Sequence, residues 1–370
     1  MEIPFLAILP GLLIWLAILL LPWRPWSTRE SLDSSPSAAQ NHDLSDITVL
    51  IPARNEALNI VDTLTALNHQ GNNLNVILVD DQSTDNTAEL AKSVNLKNLT
   101  IIQGTELDEG WSGKLWALEQ GRQHVNTPYI ILLDADIVLE RNLIPVVLEK
   151  VKNEQLQMLS LMAFLKMQTF WEKLLMPAFI FFFKLLYPFH LSNKTNSWVA
   201  AAAGGFVFIE TRVLEELGGF NCIKDALIDD CSLAKQVKTN HHKIWTGMTH
   251  SAISIRNYDT LSSIWHMVAR TAYTQLFYSP LLLLLCTLLM IAAFGIPVAA
   301  LLHTESIIFG LCILILQSIC YLPTLRYYSM NPCFAPVLPL IGILYLVMTW
   351  SSAYRYYFAK GANWKGRYYN

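Results

Sequence analysis

Six carboxylates follow apolar stretches of this chain in three pairs. In chain order they are Asp80 and Asp81 after residues 76–79, Asp134 and Asp136 after residues 130–133, and Asp229 and Asp230 after residues 226–228. Ligands of an open α/β sheet bind outside the carboxyl ends of its strands. Acids gathered there would repel a bare pyrophosphate, so the pattern predicts a nucleotide site that works with a divalent cation.

Asp134 and Asp136 end the most apolar strand that the sequence predicts. One carboxylate could bind the metal directly while the other holds a ribose or a metal-bound water, and Mg²⁺ or Mn²⁺ suits such all-oxygen ligation. Two acids one residue apart point to the same side of a strand, so they need a cation or solvent between them. A simple strand-to-loop turn is the alternative.

The other two pairs each have a functional and a structural interpretation. Asp80 and Asp81 could accept a hydrogen bond from a uracil-type ring N–H or from ribose, or they could form a turn or helix cap. A base at Asp229 or Asp230 could take the proton from an incoming hydroxyl. Acids are also common at helix N-termini, where they interact favourably with the helix dipole.

Glycines and basic residues complete the set of candidates. A backbone without Cβ at Gly204 and Gly205 can come close to a ligand, although an ordinary turn explains the pair as well. Lys114 and Arg270 are candidate phosphate contacts, because arginine in particular is well matched to a departing diphosphate. Each could instead be a solvated surface charge.

Strands and helices alternate around these residues. Strands are predicted at 47–51, 76–79, 99–103 and 129–133, and helices at 87–94, 114–124 and 232–237, with a further helical pattern starting at 55 and 56. Such alternation is typical of βαβ units. We therefore expect a Rossmann-like α/β domain with a parallel central sheet and right-handed crossovers.

Apolar residues are concentrated in a few segments. Hydrophobic residues make up 53% and charged residues 15% of the 370 residues, and four apolar stretches are candidate membrane spans: 5–21, 280–302, 307–322 and 336–358. This distribution predicts an anchor at 1–24, a linker at 25–45, a globular domain at 46–275, about three transmembrane helices at 276–360 and a basic tail at 361–370.

The first apolar segment could be a cleaved signal peptide, but Glu2 stands where a positive n-region belongs and no small-x-small cleavage site follows. We expect an uncleaved anchor. Arg24 and Arg29 flank its C-terminal end, which predicts that this end is cytosolic. The expected location is the bacterial cytoplasmic membrane, with the globular domain in the cytosol.

Residues 164–191 are the most ambiguous segment. A single membrane crossing there would put Asp134 and Asp229 on opposite faces of the bilayer, where they could not share a site. Lys173 and Lys184 also interrupt the apolar run, and charges at membrane depth are costly. We expect an element lying in the headgroup plane, with a buried core helix as the alternative.

Charge placement at the C-terminus conflicts with a simple count of spans. Three spans after a cytosolic domain would put Lys360, Lys365 and Arg367 outside, whereas basic residues prefer the cytosolic side. Either the rule is broken here or one apolar stretch is re-entrant. The proline-containing stretch 336–358 and the broken region 294–297 are the two candidates.

Several function classes are excluded by motifs that the sequence lacks. It has no basic run interleaved with aromatics, so we expect no nucleic-acid partner. It has no G-x-G-x-x-G, P-loop or G-x-S-x-G motif, which argues against dinucleotide binding, a P-loop nucleotidase and a serine hydrolase. Its six cysteines form no C-x-x-C pair and fit free thiols.

Taken in order, the motifs resemble those of the family 2 inverting glycosyltransferases. The matching segments are Val49-Leu50-Ile51-Pro52-Ala53-Arg54-Asn55-Glu56, Val79-Asp80-Asp81-Gln82-Ser83-Thr84-Asp85, Gly113-Lys114, Asp134-Ala135-Asp136, Gly204-Gly205-Phe206, Gly218-Gly219-Phe220 and Asp229-Asp230. The resemblance covers residues 46–275. The membrane layout, residues 265–276 and the basic tail 363–368 are most similar to the hopene-associated branch, and ceramide glucosyltransferases are a more distant likeness.

The resemblance implies a role for each matching residue. A nucleotide-sugar donor would contact Pro52, Glu56, Asp80, Asp81, Lys114, Asp134, Gly204 and Gly205. Asp136 would bind the metal that bridges the diphosphate. Asp230, beside Asp229, would be the catalytic base, and Arg270 would steady the leaving diphosphate. One motif departs from the family: processive members carry Gln-x-x-Arg-Trp, whereas residues 267–271 keep only the arginine, which argues against a processive polysaccharide synthase.

The implied activity is transfer of a sugar from a nucleotide diphosphate donor, UDP-linked by resemblance, to a hydroxyl of a membrane lipid, with a hopanoid as a candidate acceptor. The implied mechanism is a metal-dependent single displacement with inversion. Transfer to a polyprenyl phosphate, an acid that needs no strong base, is a second interpretation. A non-catalytic membrane scaffold that binds nucleotide sugars is a third.

Overall fold

The computed structural model describes residues 5–35, 42–358, 362–364 and 367–369. Its main sheet has eight strands: β1 (Ile47–Ala53), β2 (Asn75–Asp80), β3 (Leu99–Gln103), β4 (Tyr129–Leu133), β5 (Ile137–Leu139), β6 (Met158–Leu165), β7 (Phe206–Glu210) and β8 (Ile244–Ser254). Their order across the sheet is β3-β2-β1-β4-β7-β6-β8-β5.

The sheet is mixed but mostly parallel. Strands β3, β2, β1 and β4 pair in parallel, as the sequence predicted for this half. Strand β7 is antiparallel to both β4 and β6, and β8 is parallel to β6. Parallel strands in a sheet need a crossover connection, usually a helix, between them. No helix lies between β4 and β5, so the alternation of strands and helices, and with it the prediction of parallel pairing, stops at β4.

Fourteen helices can be described in these residues. They are α1 (Phe5–Leu20), α2 (Ile60–Leu67), α3 (Thr87–Ser93), α4 (Gly113–Arg122), α5 (Leu143–Glu154), α6 (Phe170–Leu186), α7 (Phe189–Ser192), α8 (Thr211–Glu216), α9 (Asp229–Thr239), α10 (Leu261–Thr271), α11 (Pro280–Met290), α12 (Ile296–Ala300), α13 (Ile307–Tyr327) and α14 (Leu338–Phe358). A π-helical turn, Ile291–Gly295, joins α11 to α12, and a 3₁₀ turn, Pro332–Val337, precedes α14.

Helices cover both faces of the parallel strands. Every residue of β1 is buried, which is typical of a central parallel strand. Because side chains alternate along a strand, Val49 packs with Leu64 of α2 in one core, while Leu50 packs with Leu115 of α4 in another. The two helices thereby fix the position of the loops that follow β1 and β4.

The helix predicted to start at residues 55 and 56 begins later, at Ile60. Asn55 has a φ of 53°, in the left-handed region, and does not continue a helix. Its backbone N–H donates to Ser83 Oγ at 3.0 Å, and its side chain accepts from Thr84 N at 2.8 Å. The loop after β1 is therefore bound to the loop after β2, and both lie at the carboxyl edge of the sheet.

Four helical segments of the described chain are long and apolar enough to cross a membrane: Phe170–Ser192, Pro280–Ala300, Ile307–Tyr327 and Pro332–Phe358. The shorter apolar helix α1 packs beside them, and its Trp15 Nε1 donates to the Ala293 carbonyl at 3.1 Å. Membrane association follows from these segments. The number of crossings and the division of the chain into anchor, linker, domain and tail remain predictions.

Both ends of the last apolar segment lie beside the sheet domain. Near its start, the rings of Tyr328 and Phe164, the latter on β6, have centroids 4.9 Å apart. Near its end, Trp265 of α10 donates from Nε1 to Ser351 Oγ at 2.9 Å. Helix α14 is continuous, and the choice between a re-entrant stretch and a broken charge rule remains a prediction.

The tail is described only in part. Lys360 and Lys365, on which the charge conflict depends, lie outside the described residues. Two short strands, β9 (Ala362–Trp364) and β10 (Arg367–Tyr369), pair antiparallel, and β9 lies beside α10. The backbone of β9 therefore lies next to α10, and the side of the membrane on which the tail lies remains a prediction.

Candidate active site

A half-buried lysine joins acids from two of the three motifs. Lys114, in the first turn of α4, places its Nζ 2.9 Å from Asp134 Oδ1 and 3.0 Å from Asp229 Oδ2. Ser112 caps this helix by accepting a hydrogen bond from Leu115 N. Burial would lower the pKa of Lys114, but the two carboxylates outweigh that effect, so its pKa is raised and the side chain stays charged.

The same contacts constrain the segment between the two acids. Asp134 precedes Phe170–Ser192 in the chain and Asp229 follows it, yet both contact one lysine. A single crossing of the bilayer by that segment would separate them, so such a crossing is excluded. An in-plane position of α6 remains the prediction.

Asp230 has the least favourable surroundings for a charge in this cluster. It lies in the first turn of α9, and its Oδ1 accepts a hydrogen bond from Cys231 N at 2.8 Å. Burial and the adjacent Asp229 raise the pKa of Asp230 to about 7, against the opposing effect of Lys114. A carboxylate that titrates near neutrality is suited to accept a proton as a general base.

The two glycines of the motif serve different purposes. A Cβ at Gly204 would lie 3.3 Å from Lys114 Nζ and 3.4 Å from Asp230 Oδ2. A Cβ at Gly205 would lie 3.1 Å from Cδ1 of Ile137 on β5. Gly204 therefore keeps space open above the charged cluster, whereas Gly205 allows close packing within the sheet.

A second cation, which the sequence analysis did not single out, holds Asp136. Arg256 follows β8, and its Nε lies 3.2 Å from Asp136 Oδ2 while its Nη2 lies 2.9 Å from Glu56 Oε1. Ser254 Oγ donates to Asp136 Oδ2 at 3.0 Å, and Asn59 Nδ2 donates to Glu56 Oε2 at 2.8 Å. Burial would lower the pKa of Arg256, but the carboxylates of Asp136 and Glu56 outweigh that effect. The pKa of Arg256 is therefore raised, and the side chain stays charged.

The strand geometry from which Asp134 and Asp136 were expected to point the same way is not present. They lie in the turn between β4 and β5 and not on a strand, so the alternation of a strand does not apply. Asp134 contacts Lys114, and Asp136 contacts Arg256. Their mutual repulsion is thus offset by two different side-chain cations.

The acids after β2 lie deeper in the protein. Asp80 Oδ1 accepts a hydrogen bond from Ser83 N at 3.1 Å, which is the turn predicted as its structural alternative. Asp81 is fully buried, and Arg54 Nη1 lies 3.8 Å from its Oδ2. Pro52 lines a narrow pocket of about 20 Å³ together with Lys114, Asp134 and Asp230. Donor contacts by these residues remain predictions.

Arg270 lies at the edge of the site. It is exposed on α10. Burial raises the pKa of Tyr258, while Arg256 and Arg270 both oppose that rise, which places both guanidinium groups near the Tyr258 hydroxyl. Arg270 and Arg256 therefore act on the same tyrosine, and a contact of Arg270 with the diphosphate remains a prediction.

The C-terminal end of α6 reaches the candidate base. The hydroxyl of Tyr187 donates to Gln275 Oε1, and an electrostatic interaction links the same hydroxyl to Asp230. Neither Tyr187 nor Gln275 was predicted from the sequence as a site residue. The two residues are 88 positions apart, and no local pattern in the sequence indicates that their side chains are in contact.

The donor set fits a divalent cation that arrives with phosphate oxygens. Carboxylates are suitable ligands for Mg²⁺ and Mn²⁺, and Mg²⁺ is often bound by one or two carboxylates plus substrate phosphates. Within the described residues, no three His, Cys, Asp or Glu side chains converge to hold an ion by themselves. Asp136, the predicted ligand, contacts Arg256, so a metal there requires Arg256 to yield.

Arg256 could have been found from its position. It lies two residues beyond β8, and Ile255 N donates to the Asp136 carbonyl at 2.8 Å. A search of strand ends for acids alone overlooks basic residues at the same edge.

The comparison with protein families covers part of this site. The family described as Glycosyl transferase family 2 matches residues 48–218, a range that includes Lys114, Asp134 and Asp136. Residues 48–218, a little under half of the chain, are thus similar to a family 2 glycosyltransferase domain. The matched range ends before Asp229 and Arg256, so the roles of those residues rest on the geometry described above.

A curated protein to which this chain is similar is the 4,4'-diaponeurosporenoate glycosyltransferase of Staphylococcus aureus (strain USA300), which is 36% identical over 101 residues. The matched stretch covers 27% of this chain and 26% of the relative. The chain thus matches about a quarter of the length of this curated relative.

A solved structure shares the fold over almost the whole chain. The mannosyltransferase PcManGT from Pyrobaculum calidifontis, in complex with GDP-Man and Mn2+, aligns with a TM-score of 0.53 and 15% identity, covering 95% of this chain and 96% of its own. The α/β fold expected from the sequence is confirmed, as a GT-A-like domain with a mostly parallel sheet and long apolar helices.

Proposed function

We propose that this protein is a membrane glycosyltransferase that moves a sugar from a nucleotide diphosphate donor, UDP-linked in our hypothesis, to the hydroxyl of a membrane lipid. One observation carries the proposal. Lys114 joins Asp134, an acid of the donor motif, to Asp229, the neighbour of the candidate base Asp230. Donor and acceptor can therefore be held in one cluster, as a direct displacement requires.

The surroundings of the cluster favour a lipid acceptor. Tyr187 directly follows the apolar helix α6 and interacts electrostatically with Asp230. Phe170, at the start of the same helix, is 62% exposed, and Trp198, in the loop that follows α7, is 92% exposed. Aromatic side chains of this kind favour the membrane interface. The family resemblance suggests hopanoid alcohols as one acceptor class to test.

In the proposed mechanism, the acceptor oxygen attacks the sugar C1 from the face opposite the diphosphate. The new C1–O bond forms as the bond from C1 to the phosphate oxygen breaks, and the electron pair leaves with the diphosphate. Asp230 accepts the acceptor proton. Lys114 holds Asp229 and Asp134 in place beside the reacting atoms.

Two positive groups would stabilise the negative charge of the leaving diphosphate. Arg270 would contact the departing diphosphate from α10. A divalent cation held by Asp136 and Asp134 would neutralise the diphosphate when bound. One displacement of this kind inverts the configuration at C1 without a covalent intermediate. We place the domain in the cytosol of a bacterial cell, where nucleotide sugars are available to it.

The test is transfer of label into lipid. Detergent-solubilised protein is incubated with a panel of radiolabelled nucleotide sugars, total membrane lipids and Mn²⁺ or Mg²⁺, with EDTA controls. The proposal predicts label in the organic phase only when metal is present. Label released as free sugar, but never in lipid, would leave the donor site standing and overturn the lipid acceptor. Donor binding with neither product would favour the scaffold interpretation.

A carboxylic or phosphoric acid acceptor is the second candidate. The curated relative is named for transfer to 4,4'-diaponeurosporenoate, whose name denotes a carboxylate. Such an acceptor, like a polyprenyl phosphate, is already ionised at neutral pH and needs no strong base. This candidate predicts that Asp230→Asn keeps substantial activity, whereas a hydroxyl acceptor predicts that it does not.

A further inference from the structure

We infer that Arg256 and the divalent cation compete for Asp136, so that the guanidinium occupies the metal position until the metal arrives with the donor diphosphate. The inference rests on the proposed function. It assigns to Arg256 a positioning role that controls when the metal binds.

The contacts of Asp136 leave it little capacity for a second cation. Its Oδ2 lies 3.2 Å from Arg256 Nε and 3.0 Å from Ser254 Oγ, and its Oδ1 lies 3.5 Å from Arg256 Nη2. The residue is only 6% exposed. A metal ion needs direct contact with one of these oxygens, and its charge would repel an adjacent guanidinium.

Asp136 also needs a cation when no metal is bound. A buried carboxylate without a partner is strongly disfavoured. Arg256 therefore stabilises the donor-free site, and its loss from Asp136 must coincide with the gain of another positive charge. This exchange ties metal binding to the departure of the guanidinium.

The structure provides a place for Arg256 to go. Arg256 Nη2 lies 2.9 Å from Glu56 Oε1, and Asn59 donates a hydrogen bond to the other carboxylate oxygen of Glu56. This ion pair can persist when Arg256 leaves Asp136. The arginine side chain is 34% exposed and lines an open pocket of about 500 Å³. Lys166 lies on the wall of the same pocket. The guanidinium can thus turn about Glu56 into open space, or toward an incoming diphosphate, without being buried unpaired.

The test measures Mn²⁺ binding by the purified full-length protein, by electron paramagnetic resonance of the free ion, with and without UDP. We expect wild-type protein to bind Mn²⁺ weakly alone and at least about tenfold more tightly with UDP. Arg256→Gln, which removes the competing charge, should bind Mn²⁺ alone about tenfold more tightly than wild type and gain much less from UDP.

Two variants control this comparison. Lys166→Gln removes a positive charge from the same pocket but leaves the contact between Arg256 and Asp136 in place, and should leave Mn²⁺ binding as in wild type. Glu56→Gln removes the carboxylate that binds Arg256 when it leaves Asp136, so this variant should bind Mn²⁺ more weakly than wild type. Thermal unfolding confirms that each variant is folded. If Arg256→Gln unfolds, the Glu56→Gln result decides the matter.

Equal Mn²⁺ affinity of wild type and Arg256→Gln without UDP would overturn the inference. So would wild-type Mn²⁺ affinity that is the same with and without UDP. Failure of the proposed function looks different: UDP would not bind to any variant, while the effect of Arg256→Gln on Mn²⁺ alone would still be measurable.

Discussion

Two cations serve the two acids of Asp134-Ala135-Asp136, and they differ in how enclosed they are. Lys114 is 19% exposed and lines a pocket of about 20 Å³, between acids from two motifs. Arg256 is 34% exposed and lines a pocket of about 500 Å³. The compact ammonium is suited to a fixed position among several carboxylates, whereas the forked guanidinium can keep one partner while releasing another. Lys114, the enclosed centre, therefore fixes the positions of the acids around it. Arg256, the open centre, can exchange its contact with Asp136 for a bound metal ion.

The largest effect is expected at the enclosed centre. Lys114→Met should reduce transfer more than about 100-fold and cost about 2 kcal/mol of unfolding free energy, because it leaves two half-buried carboxylates without their cation. Transfer assays and thermal unfolding in detergent measure the two effects. The exposed Lys97 offers a matched control, and Lys97→Met should change neither. Transfer by Lys114→Met within twofold of wild type would contradict an organising role for this lysine.

Space above the same centre can be tested with two glycines. Gly204→Ala puts a methyl group near Lys114 and Asp230, and should reduce transfer about tenfold while changing stability by less than about 1 kcal/mol. Gly218 has a φ of 80° and no atom within 4 Å of a Cβ. Gly218→Ala should therefore cost about 1 kcal/mol in stability through backbone strain and leave kcat/KM unchanged. The opposite pattern would mean that Gly204 serves packing alone.

The pH dependence of kcat/KM reports on the same centre. Burial and Asp229 raise the pKa of Asp230 to about 7, so Asp230 takes up a proton as pH falls through that value and transfer should decline. Asp229→Asn removes the neighbouring charge, lowers the pKa of Asp230 and should move the decline to lower pH. A flat profile between about pH 6 and pH 8 for a hydroxyl acceptor would count against Asp230 as the base.

The smallest effect is expected at the open centre. Ser254→Ala removes one hydrogen bond that orients Asp136, worth about 1 kcal/mol, and should weaken Mn²⁺-dependent UDP binding roughly fivefold. Ser251 lies on the same strand and hydrogen-bonds Glu140 at 2.8 Å, away from the site. Ser251→Ala should leave UDP binding unchanged. Equal effects of the two substitutions would indicate a general loosening of β8.

The parts of the fold that local patterns determine could be predicted. β3 and β4 have the predicted bounds, because short apolar strands alternate there with amphipathic helices. The loop after β1 could not, because the left-handed Asn55 is stabilised by Ser83 and Thr84, 28 and 29 residues away. Local helical periodicity gives no sign of such a contact.

The candidate site divides in the same way. Its acids are visible as pairs at strand ends, and Lys114 as a basic residue beside a helix start. Asp136 and Arg256 are 120 residues apart in the sequence, and their ion pair depends on the pairing of β5 with β8. No local sequence motif predicts that these two strands pair. The sequence therefore predicted a metal ligand without the side-chain cation that contacts it.

The most direct measurement compares donor binding and transfer in Asp230→Asn. Binding of the labelled nucleotide sugar by equilibrium dialysis and transfer of label into lipid are measured on the same preparation, with the exposed Asp225→Asn as control. Our account predicts donor affinity near that of wild type and transfer reduced at least about 100-fold, because only the base is lost. Loss of donor binding together with transfer would remove Asp230 from the base role and contradict the account.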